Sequence, residues 1–184
     1  AFVLNTVLWK SLAQKKKIHV SFLDLQKAYD SVDRGILWEK MRKLGFGGKF
    51  LDSIISMYKG DYVTCDSGGI TTDPVFLGRG LRQGCSLSPL LFALYIVDMS
   101  RDLVSSNLGV KLKRFCISAL FFADDIVLIS RSTDGLRTLH DIVLQHCSSL
   151  NMKLSVSKSK VMSSSSDVWE IFDQQEIVGC LDKV

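Results

Sequence analysis

The spacing of apolar residues along the 184-residue chain predicts an alternation of helices and strands. Apolar positions that recur every three or four residues are typical of a helix with one buried face. The segments with this spacing are 3–12, 34–46, 48–60, 88–106 and 133–150. The segment 88–106 begins with Ser88 and Pro89, which are favoured at the start of a helix, and it is predicted to form one long helix.

Shorter segments rich in β-branched and aromatic residues lie between these helices and predict strands. They are 18–25, 61–67, 73–80, two arms within 111–130, and 152–156. The serine-rich residues 163–166 have no apolar pattern and are predicted to form a loop. Because the two arms around Asp124 and Asp125 can pair locally as a hairpin, we expect an α+β fold with an antiparallel sheet and helices on one face.

The composition is that of a folded domain, or one lobe of a larger enzyme, because 47% of the residues are apolar. The formal charge of +4 is compatible with a nucleic-acid partner, although a solvated lysine-rich face gives the same total. The five cysteines and three histidines lack metal-ligand spacing, so neither a disulfide framework nor a zinc site is predicted. The first apolar run is too short to span a bilayer and has no basic leader, so no membrane partner is predicted.

Three aspartates are notable because each one ends or interrupts an apolar strand. Asp24 comes near the end of segment 18–25, and Asp124 and Asp125 separate the two arms of the hairpin. Adjacent carboxylates repel each other and lose hydration in apolar surroundings, so a bound cation is the simplest compensation. Mg²⁺ needs only a few carboxylate ligands and no histidine. The alternative is that Asp124 and Asp125 only favour a tight turn.

The residues around these aspartates resemble the polymerase motifs of reverse transcriptases. FLDLQKAYD resembles the first motif, LRQGCSLSPLLF the second and FADD the third, and the three occur in the family's order. The segments LGFGGKFLDSIISMYKG and MKLSVSKSK are similar to the non-LTR (LINE-type) retrotransposon branch. Group II intron reverse transcriptases are near relatives that the pattern leaves open. The resemblance covers nearly the whole chain.

The resemblance implies a polymerase palm with a two-metal site that uses Mg²⁺, with Mn²⁺ as the alternative ion. Asp24 and Asp124 match the paired metal-binding aspartates, and Asp125 matches the neighbouring carboxylate. The main-chain carbonyl of Leu25 is expected to be a further ligand. Two ions about 3.5–4 Å apart would assist the attack of the primer hydroxyl and the departure of pyrophosphate. Lys158 resembles a lysine viewed as the general acid for pyrophosphate, although a solvated basic strand also explains it.

Further residues are expected to contact the incoming nucleotide. Tyr29 stands where the family has an aromatic steric gate that rejects a 2′-hydroxyl, which implies DNA as the product. Gln83 and Gly84 match positions that orient the nucleotide and template, and Arg82 is expected to contact the template or the triphosphate. Pro89 matches the start of a helix whose N-terminus would lie near phosphates. Without the motifs, Tyr29 is read as a core aromatic and Arg82 as a surface charge.

Three positions depart from the LINE-type pattern. Ser86 stands where proline is usual, Ser155 where asparagine is common, and Asn151 where glycine is common. None of them is an expected metal ligand, so these departures concern the shapes of loops.

The domain expectation is that residues 1–184 form a palm with partial fingers. Because Ala1 is not Met and lies in a helix already under way, we expect a truncated chain. The N-terminal fingers motifs, the thumb and an endonuclease domain are the expected missing parts. By itself such a fragment is expected to be weak or inactive.

The favoured function is that of an RNA-directed DNA polymerase from a retrotransposon-type polyprotein. Its expected partners are an RNA template, a DNA primer and deoxynucleoside triphosphates, with no prediction of oligomeric state. The resemblance implies action in the cytoplasm and nucleus. One alternative is an inactive or repurposed palm that binds RNA or protein, but retained carboxylates disfavour polyanion binding unless metal is present. Another is an RNA-directed RNA polymerase palm, against which Tyr29 and the RQG sequence argue.

Overall fold

The computed structural model describes residues 2–155, 157–165 and 168–173. The chain divides into two compact units, residues 1–28 with 96–184 and residues 29–95. Predictions made for Val156, as a strand end, for Ser166, as a loop position, and for Cys180, as a thiol, lie outside the described residues.

Groups of helices and groups of strands follow one another along the described chain. The helices are α1 Phe2–Ala13, α2 Ala28–Ser31, α3 Arg34–Lys43, α4 Gly48–Met57, α5 Ser88–Tyr95, α6 Val97–Ser105 and α7 Thr133–Ser149. The strands are β1 Ile18–Asp24, β2 Tyr62–Val63, β3 Asp66–Ser67, β4 Ile70–Thr71, β5 Val75–Phe76, β6 Val110–Leu112, β7 Phe115–Ile117, β8 Ala119–Phe122, β9 Asp125–Ser130, β10 Lys160–Ser165 and β11 Val168–Asp173.

The first unit is built on an antiparallel sheet with the strand order β11-β10-β1-β9-β8. Successive side chains of the central strand β1 point to opposite faces of this sheet. Ile18 and Val20 share a buried apolar cluster with Val7 of α1. On the other face, Ser21 is hydrogen-bonded to His140 of α7. Helices therefore cover both faces, and the expectation that they cover one face is wrong, because β1 buries residues on both of its sides.

The second unit is mainly helical, with α3 packed against α4 and α5. The helix α3 begins after Asp33, whose side chain accepts a hydrogen bond from the backbone N–H of Ile36 at 3.1 Å and so caps the helix. The buried apolar side chains of these three helices are Leu37, Met41, Leu51, Ile54, Leu91, Phe92 and Tyr95. Two small antiparallel pairs, β2 with β5 and β3 with β4, complete the unit.

The predicted α+β class with an antiparallel sheet is confirmed, as are the strand at β1, the β8–β9 hairpin and the helices at α1, α3, α4 and α7. Four two-residue strands replace the two strands predicted: β2 and β3 lie in segment 61–67, β5 lies in segment 73–80, and β4 lies between the two segments. The strand predicted at 152–156 is reduced, among its described residues, to an isolated bridge between Leu154 and Leu25. The segment 111–130, predicted to hold two strands, also contains most of an additional hairpin, β6–β7, which begins at Val110.

Two further predictions are wrong for reasons that lie in long-range contacts. The segment 88–106 is broken at Ile96 into α5 and α6, and at this break the carbonyl of Tyr95 accepts a hydrogen bond from the Lys40 ammonium at 2.7 Å. The described serines of the predicted loop, residues 163–165, lie in β10, where Ser163 pairs with His19 of β1 and is bonded to its Nδ1 at 2.8 Å. Among the described residues, no helix is long and apolar enough to cross a membrane.

Candidate active site

The carboxylates of the first and third sequence motifs meet at one end of the sheet. Asp24, the last residue of β1, lies directly opposite Asp125, the first residue of β9. The N–H and C=O of Asp24 are bonded on the other side of β1, to Ser159 and Ser155. Asp24 and Asp125 therefore form a non-hydrogen-bonded cross-strand pair, the type in which opposite side chains approach most closely. Two anionic groups at such a position repel each other unless a cation lies nearby.

Asp124 precedes this pair in the tight turn between β8 and β9. Phe122 pairs with Asp125, so Ala123 and Asp124 are the two central residues of the hairpin. The φ of Ala123 is 54°, in the left-handed region that favours glycine, and this costs roughly 1–2 kcal/mol for an L-residue. Asp124 is partly buried while Asp125 is exposed. A strained turn that presents a carboxylate is typical of functional sites.

The backbone after Asp24 is held by the segment that precedes β10. Ser155 donates its N–H to the Asp24 carbonyl at 2.7 Å, and Gln26 donates to the Lys153 carbonyl at 2.8 Å. Because the backbone groups of successive residues in a strand point to opposite sides, the carbonyl of Leu25 points toward the β9 side, next to the hairpin turn. The side chain of Leu25 is buried. The backbone direction is therefore compatible with the predicted role of this carbonyl as a ligand.

Ser159 is a site residue that the sequence analysis missed. Its hydroxyl is fully buried, accepts the backbone N–H of Asp24 at 3.2 Å and donates to the carbonyl of Ser155 at 2.8 Å. No local pattern distinguishes it from the other serines of the segment. The neighbouring Lys158 lies close to the carboxylates, with Nζ 3.6 Å from Oδ2 of Asp24 and a side chain that is 71% exposed.

The donor set at this end of the sheet consists of oxygen atoms, which suits a hard cation such as Mg²⁺. Among the described residues, no group of three or more histidine, cysteine, aspartate or glutamate side chains converges to hold a metal ion. Mg²⁺ usually takes one or two carboxylates and completes its shell with water and substrate phosphates. The residues therefore fit an ion that is completed by substrate, and they do not form a closed protein cage.

The second unit contains an open cavity of about 530 Å³ that is lined by residues of the first two motifs. Its lining residues are Tyr29, Gln83, Gly84, Cys85, Ser88 and Pro89. The ring of Tyr29 is held by stacking on Phe92 of α5, with centroids 5.1 Å apart and an interplanar angle of 18°. The structure thus brings together Tyr29, Gln83 and Gly84, which the sequence analysis singled out separately.

The loop that carries Gln83 and Gly84 is bonded to the segment that carries Tyr29. Leu81 donates its N–H to the carbonyl of Tyr29 at 2.8 Å, and the side-chain amide of Gln83 lies 3.2 Å from Oδ1 of Asp30. Gly80, which the sequence analysis missed, has a φ of +88°, and a Cβ there would lie 3.1 Å from backbone atoms of Asp30. Only glycine fits this close approach without displacement.

Arg82 is not among the residues that line the cavity. Its guanidinium is paired with the buried carboxylate of Asp61 and also donates to the carbonyl of Met57 at 2.6 Å. The pKa of Asp61 is lowered, first by the hydrogen bond from Arg82 and also by the charges of Arg82 and Arg34. The sequence offered no signal for Asp61 or Arg34, since each is a charged residue at the first position of a predicted element and belongs to none of the motifs.

The hydroxyl of Ser88 donates to the carbonyl of Arg82 at 2.6 Å, at the start of α5. The adjacent Cys85 has a lowered pKa, because its sulfur accepts backbone hydrogen bonds from Leu87 and Ser88 and lies near the charge of Arg82. Of the three departures from the LINE-type pattern, Asn151 has a φ of 53°. Asparagine tolerates this left-handed conformation, so it can replace the usual glycine.

A family profile and several curated proteins match this chain. The profile, described as "Reverse transcriptase (RNA-dependent DNA polymerase)", matches residues 4–178. The "Retrovirus-related Pol polyprotein from type-2 retrotransposable element R2DM" of Drosophila melanogaster is 30% identical over 86% of this chain and 15% of its own length. The "Transposon TX1 uncharacterized 149 kDa protein" of Xenopus laevis is 29% identical over 80% of this chain and 12% of its own length. The chain thus spans less than a fifth of these two relatives.

Two solved telomerase structures share the fold. The apo telomerase of Candida tropicalis, truncated from its C-terminal domain, has a TM-score of 0.61 at 12% identity and covers 93% of this chain, which corresponds to 39% of that chain. The telomerase of Candida albicans in complex with a TWJ fragment of telomeric RNA has a TM-score of 0.54 at 15% identity and covers 85% of this chain, which corresponds to 29% of that chain.

Proposed function

Since this chain belongs to the reverse transcriptase (RNA-dependent DNA polymerase) family, we propose that it is the catalytic core of a polymerase that copies an RNA template into DNA. We further propose that its parent is the Pol polyprotein of a non-LTR element and that residues 1–184 cover the palm and part of the fingers. The observation that carries the proposal is the Asp24–Asp125 pair at the end of β1 and β9, beside the turn that presents Asp124.

The reaction joins the 3′-hydroxyl of a DNA primer to the α-phosphorus of a deoxynucleoside triphosphate and releases pyrophosphate. We assign Asp24, Asp124 and Asp125, with the Leu25 carbonyl, as the oxygen ligands of two Mg²⁺ ions. When bound, such ions lower the pKa of the attacking hydroxyl and neutralise charge on the leaving phosphates. The oxygen-only donor set and the close cross-strand pair support this assignment.

We propose that Lys158 donates a proton to the departing pyrophosphate. Its ammonium is exposed and lies 3.6 Å from the Asp24 carboxylate, so in the absence of substrate it also partly offsets the carboxylate charge. Because an exposed ion pair of this kind contributes little to stability, Lys158 can leave Asp24 and bind a phosphate at little cost in free energy.

We propose that the cavity of the second unit binds the deoxynucleoside triphosphate. Tyr29 would exclude a 2′-hydroxyl by bulk, a role for which its stacking on Phe92 makes it rigid. Gln83 and Gly84 would position the nucleotide and the template. The expected contact of Arg82 with the template or the triphosphate has no support from the cavity, which Arg82 does not line. The lining of one cavity by Tyr29, Gln83 and Gly84 supports the first two of these roles.

The test is primer extension on an RNA template with deoxynucleotides and Mg²⁺, in the longest natural form of the protein that carries this chain. Asp124→Asn should lower the extension rate at least about a hundredfold, the scale on which removal of one charge-stabilising group acts. The matched control is Asp134→Asn on α7, whose side chain is 91% exposed and which should leave the rate unchanged. A folded parent that extends no primer would contradict the proposal and favour a repurposed palm that binds RNA or protein.

A further inference from the structure

A cluster of ion pairs around a buried carboxylate is joined to the loop that lines the cavity of the second unit, and we define it as Arg34, Asp61 and Arg82. Asp61 is 8% exposed, and its Oδ2 accepts a hydrogen bond from Nη2 of Arg34 at 2.7 Å. Its other oxygen, Oδ1, accepts from both Nε and Nη2 of Arg82, with 2.9 Å to Nε. Both guanidinium groups also lie over the ring of Tyr58, at 4.8 and 5.5 Å from its centroid. One carboxylate therefore holds two arginines.

Arg34 connects the cluster to several backbone segments of the unit through hydrogen bonds. It is 8% exposed and begins α3. Its Nε donates to the carbonyl of Gly80 at 2.8 Å, and its Nη1 donates to the carbonyls of Leu77 and Tyr58 at 2.8 and 3.2 Å. A planar guanidinium with five donors in fixed directions is suited to joining several chain segments at once.

Arg82 differs from Arg34 because its side chain is half exposed and its neighbour in the chain is Gln83. Arg34 by itself already supplies one positive charge to neutralise Asp61. The second arginine is therefore not needed to balance the buried charge. What it adds is a connection between Asp61 and the loop 80–88, whose residues 83–85 and 88 line the cavity.

The loop 80–88 is bonded at both ends around this connection. At its start, Gly80 and Leu81 donate their N–H groups to the carbonyls of Val32 and Tyr29, each at 2.8 Å. At its end, Ser88 Oγ donates to the Arg82 carbonyl at 2.6 Å. Between these points the Arg82 side chain anchors the loop to Asp61 and to the Met57 carbonyl. A loop fixed in this way presents Gln83 and Gly84 without the entropy loss of ordering them on binding.

We propose that Asp61 is a positioning residue that, through Arg82, holds the loop 80–88 in the geometry that binds the incoming nucleotide. This inference rests on the proposed function of the cavity. Asp61 touches neither substrate nor metal, and its effect reaches the nucleotide through the backbone of Arg82, Gln83 and Gly84. Because it is paired with Asp61, Arg82 acts chiefly by anchoring the loop and not by contacting the nucleotide.

The first measurement compares Asp61→Asn and Arg82→Gln in primer extension with varied deoxynucleotide concentration. Each variant should raise the KM for the deoxynucleotide by roughly ten- to a hundredfold, because a small misplacement of binding groups has effects of this size. Each should change kcat by a smaller factor. The double variant should be no worse than the more impaired single variant, because both changes remove one connection. The matched control is Glu39→Gln, which removes an exposed pair to Lys43 at 2.8 Å in the same unit and should leave KM unchanged.

A direct role for Arg82 as a phosphate ligand gives a different result. Asp61→Asn would then release Arg82 and leave the KM unchanged or lowered, while Arg82→Gln would raise it. Either that outcome or additive effects in the double variant would overturn the proposal. If Asp61→Asn fails to fold, Arg82→Gln leaves the buried Arg34–Asp61 pair in place and is tested by both KM and hydrogen exchange of the loop, since loss of a direct phosphate ligand would raise the KM without changing the exchange.

The second measurement does not depend on activity and therefore separates this proposal from the function. Amide hydrogen exchange at Gly80 and Leu81, whose N–H groups are bonded to Val32 and Tyr29, should be faster in Asp61→Asn and Arg82→Gln than in the parent. Unchanged exchange in both variants would overturn the positioning role. A parent that extends no primer, but whose loop loses protection in the variants, would contradict the proposed function alone.

Discussion

Replacement of His140 by glutamine tests how a buried imidazole on α7 makes the protein sensitive to acid. His140 is 6% exposed, and its Nε2 lies 2.9 Å from Oγ of Ser21, which is fully buried on β1. Burial lowers the pKa of His140 from 6.5 to about 4, and the neighbouring Asp141 opposes this only in part. His19, on the same face of β1, also has a lowered pKa because of burial and the charge of Lys17.

The sign of the effect follows from which state binds the proton first. Between pH 6.5 and about pH 4, the unfolded chain holds a proton on this histidine and the folded chain does not. The free energy of unfolding therefore falls as the pH falls through this window. The whole shift corresponds to about 3 kcal/mol, and about 2 kcal/mol of it is lost between about pH 7.5 and about pH 5.

Urea unfolding followed by tryptophan fluorescence at these two pH values measures the loss. In His140→Gln the loss should be smaller than in the parent by about 2 kcal/mol, and the part due to His19 should remain. The control is His146→Gln on the same helix, which removes a histidine bonded to a surface carboxylate, Asp102, at 2.8 Å. If His140→Gln keeps the full pH dependence of the parent, the assignment of the acid sensitivity to this buried imidazole is wrong.

Three other changes test the fold and the site. Gly109→Ala would place a Cβ against the carbonyl oxygen of Ile117, so the β6–β7 hairpin must shift, and urea unfolding should show a loss of roughly 1–3 kcal/mol in the free energy of unfolding. Gly78→Ala, which meets only the Phe76 ring at 3.5 Å, should be near neutral, and equal losses in the two variants would contradict the reasoning. Tyr29→Ala removes bulk from the cavity, so the ratio of kcat/KM for ribonucleotides to kcat/KM for deoxynucleotides should rise at least about tenfold. An unchanged ratio would show that Tyr29 is not the steric gate. Ser159→Ala deprives the Asp24 N–H of its acceptor, so the free energy of unfolding in urea should fall by about 1–3 kcal/mol and the extension rate should also fall. Ser157→Ala, at an exposed position nearby, should change neither quantity. An extension rate equal to that of the parent in Ser159→Ala would show that this hydrogen bond does not position Asp24.

The amino-acid sequence by itself marked the candidate site of this protein. The three motifs mark Asp24, Tyr29, Gln83, Gly84 and Asp124 because these residue types sit at fixed distances along the chain, which a local pattern can carry. The apolar run of β1, the hairpin around Ala123 and the helix capped by Ser132 are also local features. Each depends on side-chain periodicity or on a turn within a few residues, and those are the quantities that a sequence displays.

Only the tertiary structure decided which distant residues hold the sheet and the candidate site in place. The serines of β10 have no apolar periodicity, and they form a strand because β1 offers an open edge with His19 as a partner for Ser163. The role of Asp61 depends on its hydrogen bonds with Arg34 and Arg82, which lie 27 and 21 positions away in the chain. Burial makes such partners necessary, because a charge or hydroxyl removed from water must find a hydrogen bond wherever the fold supplies one. The identity of that partner depends on three-dimensional proximity, and no local pattern of residues encodes it.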